Sequence, residues 1–195
     1  MPSVSEKENR PVCLPCRRSP CECVGFFVSR EGAVRAAVIT VSDKGYAGQR
    51  EDTSGPALAE ALARMGAEVA AMRLVPDEPE MIAGALVELA DQLGMDLIVT
   101  TGGTGPAPRD RTPEATRAVI ERDLPGLAEA LRFEGYKKTP LAVLSRGIAG
   151  IRGKCLIVNL PGSLKAVREG METLAPILPH AVQMIQGRDL EHKHG

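Results

Sequence analysis

The amino-acid sequence predicts an α/β fold in which helices pack against a mostly parallel sheet. Two observations support this prediction. Short apolar runs, such as residues 97–101, are typical of parallel strands that are buried on both faces. These runs alternate with longer segments whose apolar residues recur at helical spacing. The alternation of strands and helices favours right-handed crossover connections.

The first half of the globular region shows this alternation clearly. The first apolar run is followed directly by the polar residues Ser42 and Asp43, which therefore stand at the carboxyl end of a strand. Ser54 is a suitable N-cap for the first long helix, and Gly66 is a suitable residue to follow its last turn. The elements predicted in this half are strands at 35–41 and 69–75 and helices at 54–65 and 79–93.

The central strand, at residues 97–101, leads into three glycines within four residues, Gly102, Gly103 and Gly105. Glycines let backbone N–H groups turn towards an anion. Thr112 and Pro113 then predict a helix N-terminus, which also favours negative charge. Asp110 lies between the glycines and this helix, and a carboxylate beside phosphates predicts a Mg²⁺ site. A plain strand-to-helix turn is the alternative, and the glycine spacing fits neither a P-loop nor G-x-G-x-x-G.

The second half of the region repeats the pattern with weaker signals. Ser145 and Arg146 follow a short apolar run, and a glycine-rich stretch at 148–154 predicts a turn. Ser163 is a suitable N-cap after Pro161 and Gly162, which predicts a second anion site. Cys155 is expected to be buried packing rather than a nucleophile. The elements predicted here are strands at 141–144 and 155–160 and helices at 113–122, around 127–131, from 164 and at 179–186.

The chain is long enough for one hydrophobic core and short for two. We expect one domain at 33–187, a flexible extension at 1–32 and a polar tail at 188–195. The extension carries four of the five cysteines. Four thiolates could bind zinc or serve in redox chemistry, although the spacing C-x2-C-x4-C-x-C differs from that of the usual zinc folds, so a disordered leader or a remnant of a fused neighbour stays an alternative. These cysteines are Cys13, Cys16, Cys21 and Cys23.

Composition and charge argue against several classes of partner. The net charge of −1 gives no reason to expect nucleic acid. No apolar stretch approaches the ~20 residues that a membrane span needs, and residues 24–28 are too short for a signal-peptide core, so we expect a cytoplasmic protein with no membrane partner. The chain has no Trp and only three Phe residues, which leaves little material for stacking nucleic-acid bases.

The polar segments gather at predicted strand carboxyl ends, which form one edge of an open α/β sheet. Taken in order, these motifs resemble the molybdopterin adenylyltransferases of molybdenum-cofactor biosynthesis, which include the bacterial enzyme and the G domains of plant and animal two-domain homologues. The resemblance covers residues 35–186 and leaves the first 32 residues unexplained. Its motifs are Thr40-Val41-Ser42-Asp43, residues 100–116, Thr139-Pro140 with Leu144-Ser145-Arg146, Gly150-Ile151-Arg152-Gly153-Lys154, and Asn159-Leu160-Pro161-Gly162-Ser163.

The resemblance implies a three-layer α/β/α sandwich that assembles as a homotrimer. It also implies a Mg²⁺-dependent transfer of AMP from ATP to the terminal phosphate of molybdopterin, with release of pyrophosphate. The attacking phosphate is already ionised, so such a transfer depends on alignment and charge neutralisation rather than on a protein nucleophile. The molybdate-inserting enzyme of the same pathway is a possible partner.

Site residues follow from the same resemblance. Asp110 would be catalytic and would hold Mg²⁺, and Asp52 would be the second functional acid and would support the metal. Asp52 could instead be a first-turn acid of the following helix, and Glu51 is its neighbouring alternative. The expected nucleotide-binding residues are Gly102, Gly103, Thr104, Gly105 and Pro113. The expected molybdopterin-binding residues are Thr40, Ser42, Asp43, Ser145, Asn159, Gly162 and Ser163. Three arginines could bind phosphate by their chemistry, or each could be a solvated surface charge: Arg109, Arg111 and Arg146.

Three other functions fit parts of this pattern. A non-catalytic molybdopterin carrier or scaffold would keep the pterin pocket, although carboxylates near phosphates would not help it. The molybdate-inserting enzyme shares the fold but lacks the central Thr-Gly-Gly-Thr-Gly loop followed by Arg-Asp, and it has further domains. A generic nucleotide-binding domain with another acceptor is the third alternative.

Overall fold

The structure is a computed structural model that describes residues 33–187. The expected extension at 1–32, with its cysteine cluster, and the expected tail at 188–195 lie outside the described residues, so what was predicted for them stays a prediction. Within residues 33–187, no helix combines the length and the apolar composition that crossing a bilayer requires.

The strands of the described region form one sheet in the order β2-β1-β3-β6-β5-β4. Neighbours among β2, β1, β3 and β6 run parallel, whereas β5 runs antiparallel to β6 and β4 antiparallel to β5. The mostly parallel sheet is therefore confirmed, with an antiparallel edge added to it. The strands are β1 (Arg35–Val41), β2 (Glu68–Val75), β3 (Leu97–Thr101), β4 (Arg122–Asp123), β5 (Ala149–Arg152) and β6 (Cys155–Leu160).

Helices cover both faces of this sheet. A π-helical turn at Glu88–Gln92 extends the third helix, and Pro140–Leu144 form a 3-10 helix after the fifth. The α-helices are α1 (Asp43–Tyr46), α2 (Ser54–Arg64), α3 (Pro79–Val87), α4 (Thr112–Arg117), α5 (Pro125–Lys138), α6 (Leu164–Leu174) and α7 (Leu178–Ile185).

Buried side chains form two groups, one between each face of the sheet and the helices that cover it. Alternate residues of β1 point to opposite faces, so Ala36 and Val38 pack in one group while Ala37 and Ile39 pack in the other. The first group includes side chains of α2, α5, α6 and α7, and the second includes those of α3 and α4. Helices thus lie on both sides of the sheet, which confirms the three-layer α/β/α sandwich.

The predicted strand at 141–144 is wrong, because Pro140–Leu144 form a 3-10 helix. The side chains of Leu141, Val143 and Leu144 are at least half exposed, whereas a strand inside this sheet would be buried. A short apolar run does not by itself distinguish a strand from a short helix. The consequence for the site is that Ser145 follows a helical turn rather than a strand.

The predicted turn at 148–154 is also wrong over most of its length, because Ala149–Arg152 form β5 and pair with β6. The chain reverses only at Gly153, whose φ of 55° favours glycine. The turn was predicted here because glycine, as at Gly150, is common in turns and uncommon inside strands. A Cβ at Gly150 would lie 2.5 Å from Ile120 Cδ1, so close packing explains this glycine.

Three of the helices predicted in the second half of the region differ from the structure in their bounds. The helix predicted at 113–122 ends at Arg117, because Arg122 and Asp123 pair with β5. The short helix predicted around 127–131 is the 14-residue α5, which begins at Pro125 and is followed by Thr139 in extended conformation before a proline. The last helix lies one residue earlier than predicted.

Candidate active site

A cavity of about 770 Å³ opens where β1, β3 and β6 end. The structure brings most of the predicted site residues together on its wall, but neither Asp43 nor Pro113 lines it. The predicted residues that do line it are Thr40, Ser42, Asp52, Gly102, Gly103, Thr104, Gly105, Asp110, Ser145, Asn159, Gly162 and Ser163.

The glycine loop needs its glycines for two different reasons. Gly102 and Gly103 have φ angles of 103° and 61°, which disfavour other residues. A Cβ at Gly102 would also overlap the carbonyl oxygen of Val41. Gly105 has no positive φ, but a Cβ there would lie 2.7 Å from Asp110 Oδ2. The expectation that all three glycines serve backbone conformation therefore holds for two of them, and the third provides space.

Hydrogen bonds hold this loop to the elements around it. Thr112 is the first residue of α4 rather than its N-cap, which is Arg111. Its hydroxyl donates to Gly102 O at 2.9 Å, and its N–H donates to Gly103 O at 3.1 Å. The predicted capping threonine is therefore the residue that closes the loop.

Asp110 lies at the end of the loop and folds back onto it. Its Oδ2 accepts from Ala107 N at 3.0 Å, and its own N–H donates to Ala107 O at 3.0 Å. These two bonds fix the backbone around the carboxylate. Among the described residues, Asp110 Oδ1 has no hydrogen-bond donor, so this oxygen is available to a cation.

Asp77 is a second acid at the loop, and sequence reasoning missed it. Its Oδ1 would lie 2.9 Å from a Cβ at Gly103, and its Oδ2 accepts from Asp43 N at 2.9 Å. Burial raises the pKa of Asp77, and the carboxylates of Asp43 and Asp110 also raise it, although the hydrogen bond from the Asp43 N–H opposes them. The available signal was its position directly after β2, at the same sheet edge as the loop.

Asp52 lines the cavity, but its visible contacts are those of a helix cap. Its Oδ1 accepts from Ser54 N at 3.0 Å and from Gly55 N at 2.9 Å, at the start of α2. The predicted cap, Ser54, instead donates its hydroxyl to Gly162 O at 2.8 Å. The first-turn interpretation of Asp52 therefore has direct support, while its role towards a metal stays a prediction.

Two predicted molybdopterin contacts have structural hydrogen bonds. Asn159 is 2% exposed, and its Nδ2 donates to the hydroxyls of Thr100 and Thr116 at 3.0 Å each. Ser163 is confirmed as the N-cap of α6, because its Oγ accepts from Ala166 N at 3.1 Å. Asn159 therefore joins β6 to β3 and α4, and a direct contact of its amide with substrate stays a prediction.

Asp43, which stands outside the cavity wall, is paired with Arg109. The Arg109 guanidinium donates to both carboxylate oxygens of Asp43, at 3.0 and 2.9 Å, and pairs with Glu78 at 2.9 Å. Hydrogen bonds from Arg109 hold the pKa of Asp43 below its ordinary value. Arg109 thus ties the glycine loop to the segments after β1 and β2. Arg50, which the sequence did not single out, lines the cavity and donates to Ser42 Oγ at 3.0 Å.

The opposite side of the cavity has a different character. We call it the helical wall, and it comprises the residues of α5, of Pro140–Leu144 and of α6 that line the cavity. Many of its side chains are small or aliphatic, which suits a flat ring system better than a phosphate. These are Ala128, Leu131, Gly135, Leu141, Ala142, Leu144, Leu164, Ala166 and Gly170. Arg132 and Lys138 add positive charge to it, and Glu134 and Glu169 add negative charge.

Comparison with known proteins agrees with this architecture. Residues 37–180 match the family described as "Probable molybdopterin binding domain". A molybdopterin adenylyltransferase of Helicobacter pylori strain J99 is 42% identical over 160 residues, which cover 81% of this chain and 91% of that protein. The Drosophila melanogaster molybdenum cofactor synthesis protein cinnamon is 44% identical over 154 residues, 78% of this chain and 26% of that longer protein.

A solved structure shares both fold and sequence. The molybdopterin biosynthesis enzyme MoaB of Thermus thermophilus is 56% identical, with a TM-score of 0.76, and the match covers 80% of this chain and 98% of that one. The family match spans more than half of the chain, and the relatives match at high identity over most of its length. The chain therefore belongs to the molybdopterin-binding domain family of molybdenum-cofactor biosynthesis.

Proposed function

We propose that this protein is a molybdopterin adenylyltransferase, which transfers AMP from Mg·ATP to the terminal phosphate of molybdopterin. One observation carries the proposal. A glycine loop with two carboxylates, Asp77 and Asp110, faces a largely apolar wall across one cavity. Such a cavity suits a charged nucleotide and a flat pterin side by side. Curated relatives that carry this name match along most of the chain.

Asp110 and Asp77 fit a Mg²⁺ site by their chemistry. Mg²⁺ prefers oxygen ligands and often takes one or two protein carboxylates together with substrate phosphates. The raised pKa of Asp77 reflects burial and neighbouring negative charge, and a divalent cation would offset the effect of both by stabilising the ionised carboxylate. When bound, Mg²⁺ would neutralise charge on the ATP phosphates. Asp52 stays a further candidate for this role.

The residues of the chain would align the two substrates. The N–H groups of the glycine loop suit the ATP phosphates, whereas Ser163 and the start of α6 suit the molybdopterin phosphate. An oxygen of that phosphate attacks the α-phosphorus of ATP, the bond to the bridging oxygen breaks, and pyrophosphate leaves with that electron pair. The attacking oxygen is already ionised, so the step needs no protein base.

The direct test is to incubate the purified protein with molybdopterin and Mg·ATP and to measure adenylyl-molybdopterin and pyrophosphate. We expect both products in equal amounts, and neither when EDTA removes the metal. A matched reaction with an ATP analogue whose α,β-bridge cannot be cleaved should also give neither. If molybdopterin binds and no product forms, the protein is a carrier or scaffold instead.

We further propose that the protein forms a homo-oligomer. The expected state is the trimer that the family resemblance implies. Phe133, Tyr136, Leu141 and Val143 are more than half exposed, and these large apolar side chains lie on α5 and the 3-10 helix that follows it. Exposed apolar groups of this kind often mark interfaces. Light scattering on the eluting protein measures the mass directly. The cytoplasmic location and a partnership with the molybdate-inserting enzyme stay predictions.

A further inference from the structure

Arg146 reaches from one side of the cavity to the glycine loop on the other. Its Nε donates to Gly105 O at 2.8 Å, its Nη2 donates to Asp110 O, and its backbone N–H donates to Thr104 O at 2.8 Å. Gly105 and Asp110 are the two ends of the loop segment that carries the candidate metal-binding carboxylate. One guanidinium therefore holds both ends of this segment.

Glu114 on α4 fixes the orientation of that guanidinium. Its Oε1 accepts from Arg146 Nη1, and its Oε2 accepts from Nη2 at 3.4 Å. The hydrogen bond from Arg146 holds the pKa of Glu114 below its ordinary value, so this carboxylate stays ionised at neutral pH. A planar guanidinium held at both nitrogens has a single orientation, which a lysine ammonium could not reproduce.

The backbone on either side of Arg146 is held from the helical wall. Arg132 on α5 donates from Nη1 to Gly147 O at 2.9 Å and to Ser145 O at 3.5 Å. The chain of contacts therefore runs from α5, through residues 145–147, to the glycine loop and α4. It joins the helical wall to the loop side of the cavity.

We propose that Arg146 is a positioning residue that holds the Asp110 carboxylate in place for the metal. The inference rests on the proposed function, because it takes Asp110 as a ligand of Mg²⁺. The Arg146 side chain already makes four hydrogen bonds with carbonyl and carboxylate oxygens, so it acts through the loop rather than by contacting a phosphate. Residues that orient a metal ligand in this way influence both metal affinity and rate.

The test compares Arg146→Lys and Arg146→Ala with the wild-type protein. Loss of the planar fork should lower kcat by about tenfold in the lysine variant and by about 100-fold in the alanine variant. The Mg²⁺ concentration for half-maximal rate should rise by about tenfold. The KM for molybdopterin should change little, since the loop lies on the nucleotide side. Arg117→Ala is the matched control, because Arg117 lies on the surface of α4 and its ion pair within residues 33–187 is with the exposed Asp123.

A second measurement does not depend on activity. Hydrogen exchange at the amides of Ala107, Arg109 and Asp110 should be faster in Arg146→Lys than in the wild type, with exchange in β1 and β3 unchanged. Unchanged exchange in this segment would overturn the inference. So would a raised KM for ATP with an unaltered Mg²⁺ requirement, because Arg146 would then contact the nucleotide itself. If wild-type protein forms no adenylyl-molybdopterin, the proposed function fails, while the exchange measurement still decides whether Arg146 positions the loop.

Discussion

The two sides of the cavity are built by different means. The loop side, residues 102–110 with Asp77, consists of backbone groups and carboxylates whose positions depend on glycine conformation and single hydrogen bonds. The helical wall consists mostly of small and aliphatic side chains on α5, the 3-10 helix and α6. The loop side therefore suits charge, which needs fixed atoms, and the helical wall suits an apolar ring, which needs shape.

Close approach of helices shapes the helical wall. A Cβ at Gly135 would lie 2.9 Å from the Cβ of Ala142, and one at Gly170 would lie 2.8 Å from Leu160 Cδ2. These glycines are needed for space between elements. On the loop side, Gly102 and Gly103 are needed for backbone conformation as well. Substitutions on the two sides should consequently have different effects.

Asp110→Asn should have the largest effect on turnover, and this effect should be confined to the loop side of the cavity. It removes the charge that would hold Mg²⁺, so turnover should fall by about 100-fold or more. Molybdopterin affinity and thermal stability should stay close to those of the wild type. Single-turnover assays and pterin titration measure these quantities, with the surface variant Asp123→Asn as control. Unchanged turnover would mean that another residue holds the metal.

Gly102→Ala should reduce stability strongly. The new side chain must occupy a positive φ and would overlap Val41 O, at a cost of about 2–3 kcal/mol in the free energy of unfolding. The control is Gly84→Ala in α3, where a Cβ meets nothing within 4 Å. This substitution should raise the free energy of unfolding by as much as about 1 kcal/mol, because alanine favours a helix more than glycine does. Urea denaturation compares the two variants. Equal stability of both would contradict the conformational requirement at Gly102.

Gly135→Ala should affect the helical wall and spare the loop. The added methyl group must push the 3-10 helix away from α5, which should weaken molybdopterin binding by up to about tenfold. ATP binding should not change. Gly126→Ala on the same helix is the control, because a Cβ there has open space. A parallel loss of ATP affinity would show that the two sides are not independent.

Arg109→Ala should have the smallest effect, because its ion pairs with Asp43 and Glu78 are exposed to solvent. We expect the Tm to fall by no more than about 2 °C at neutral pH. Arg109 lowers the pKa of Asp43, so the stabilisation is present above the ordinary Asp value of 3.8 and is lost as Asp43 is protonated at lower pH. The difference in Tm should therefore shrink below about pH 4. A difference that grows on acidification would contradict this explanation.

Much of the parallel half of the fold was predictable. The sequence runs of β1, β3 and β6 are apolar throughout, because these strands are buried on both faces, and their bounds match the predictions. The antiparallel edge was not predictable in the same way. The residues of β4 are exposed, and β5 contains a glycine, so neither has the pattern of a buried strand.

The candidate site also has a part that the sequence predicts and a part that it does not. The glycine loop and Asp110 were visible as a local pattern, because a tight turn and a helix start restrict residue type within a few positions. The position of Asp77 at the loop depends on the pairing of β2 with β1 and of β1 with β3, which brings residues that are distant along the chain to one edge. The ion pairs of Arg109 and Arg146 likewise span 66 and 32 residues.

The sequence by itself determined the α/β class, the central strand, the glycine loop and the presence of an acid beside that loop. These features depend on local burial and backbone conformation, which neighbouring residues specify. Only the tertiary structure decided which acids meet at the loop, that Asp52 caps α2, and that Arg146 joins the two sides of the cavity. Those contacts depend on strand order and helix packing, which local sequence patterns do not specify.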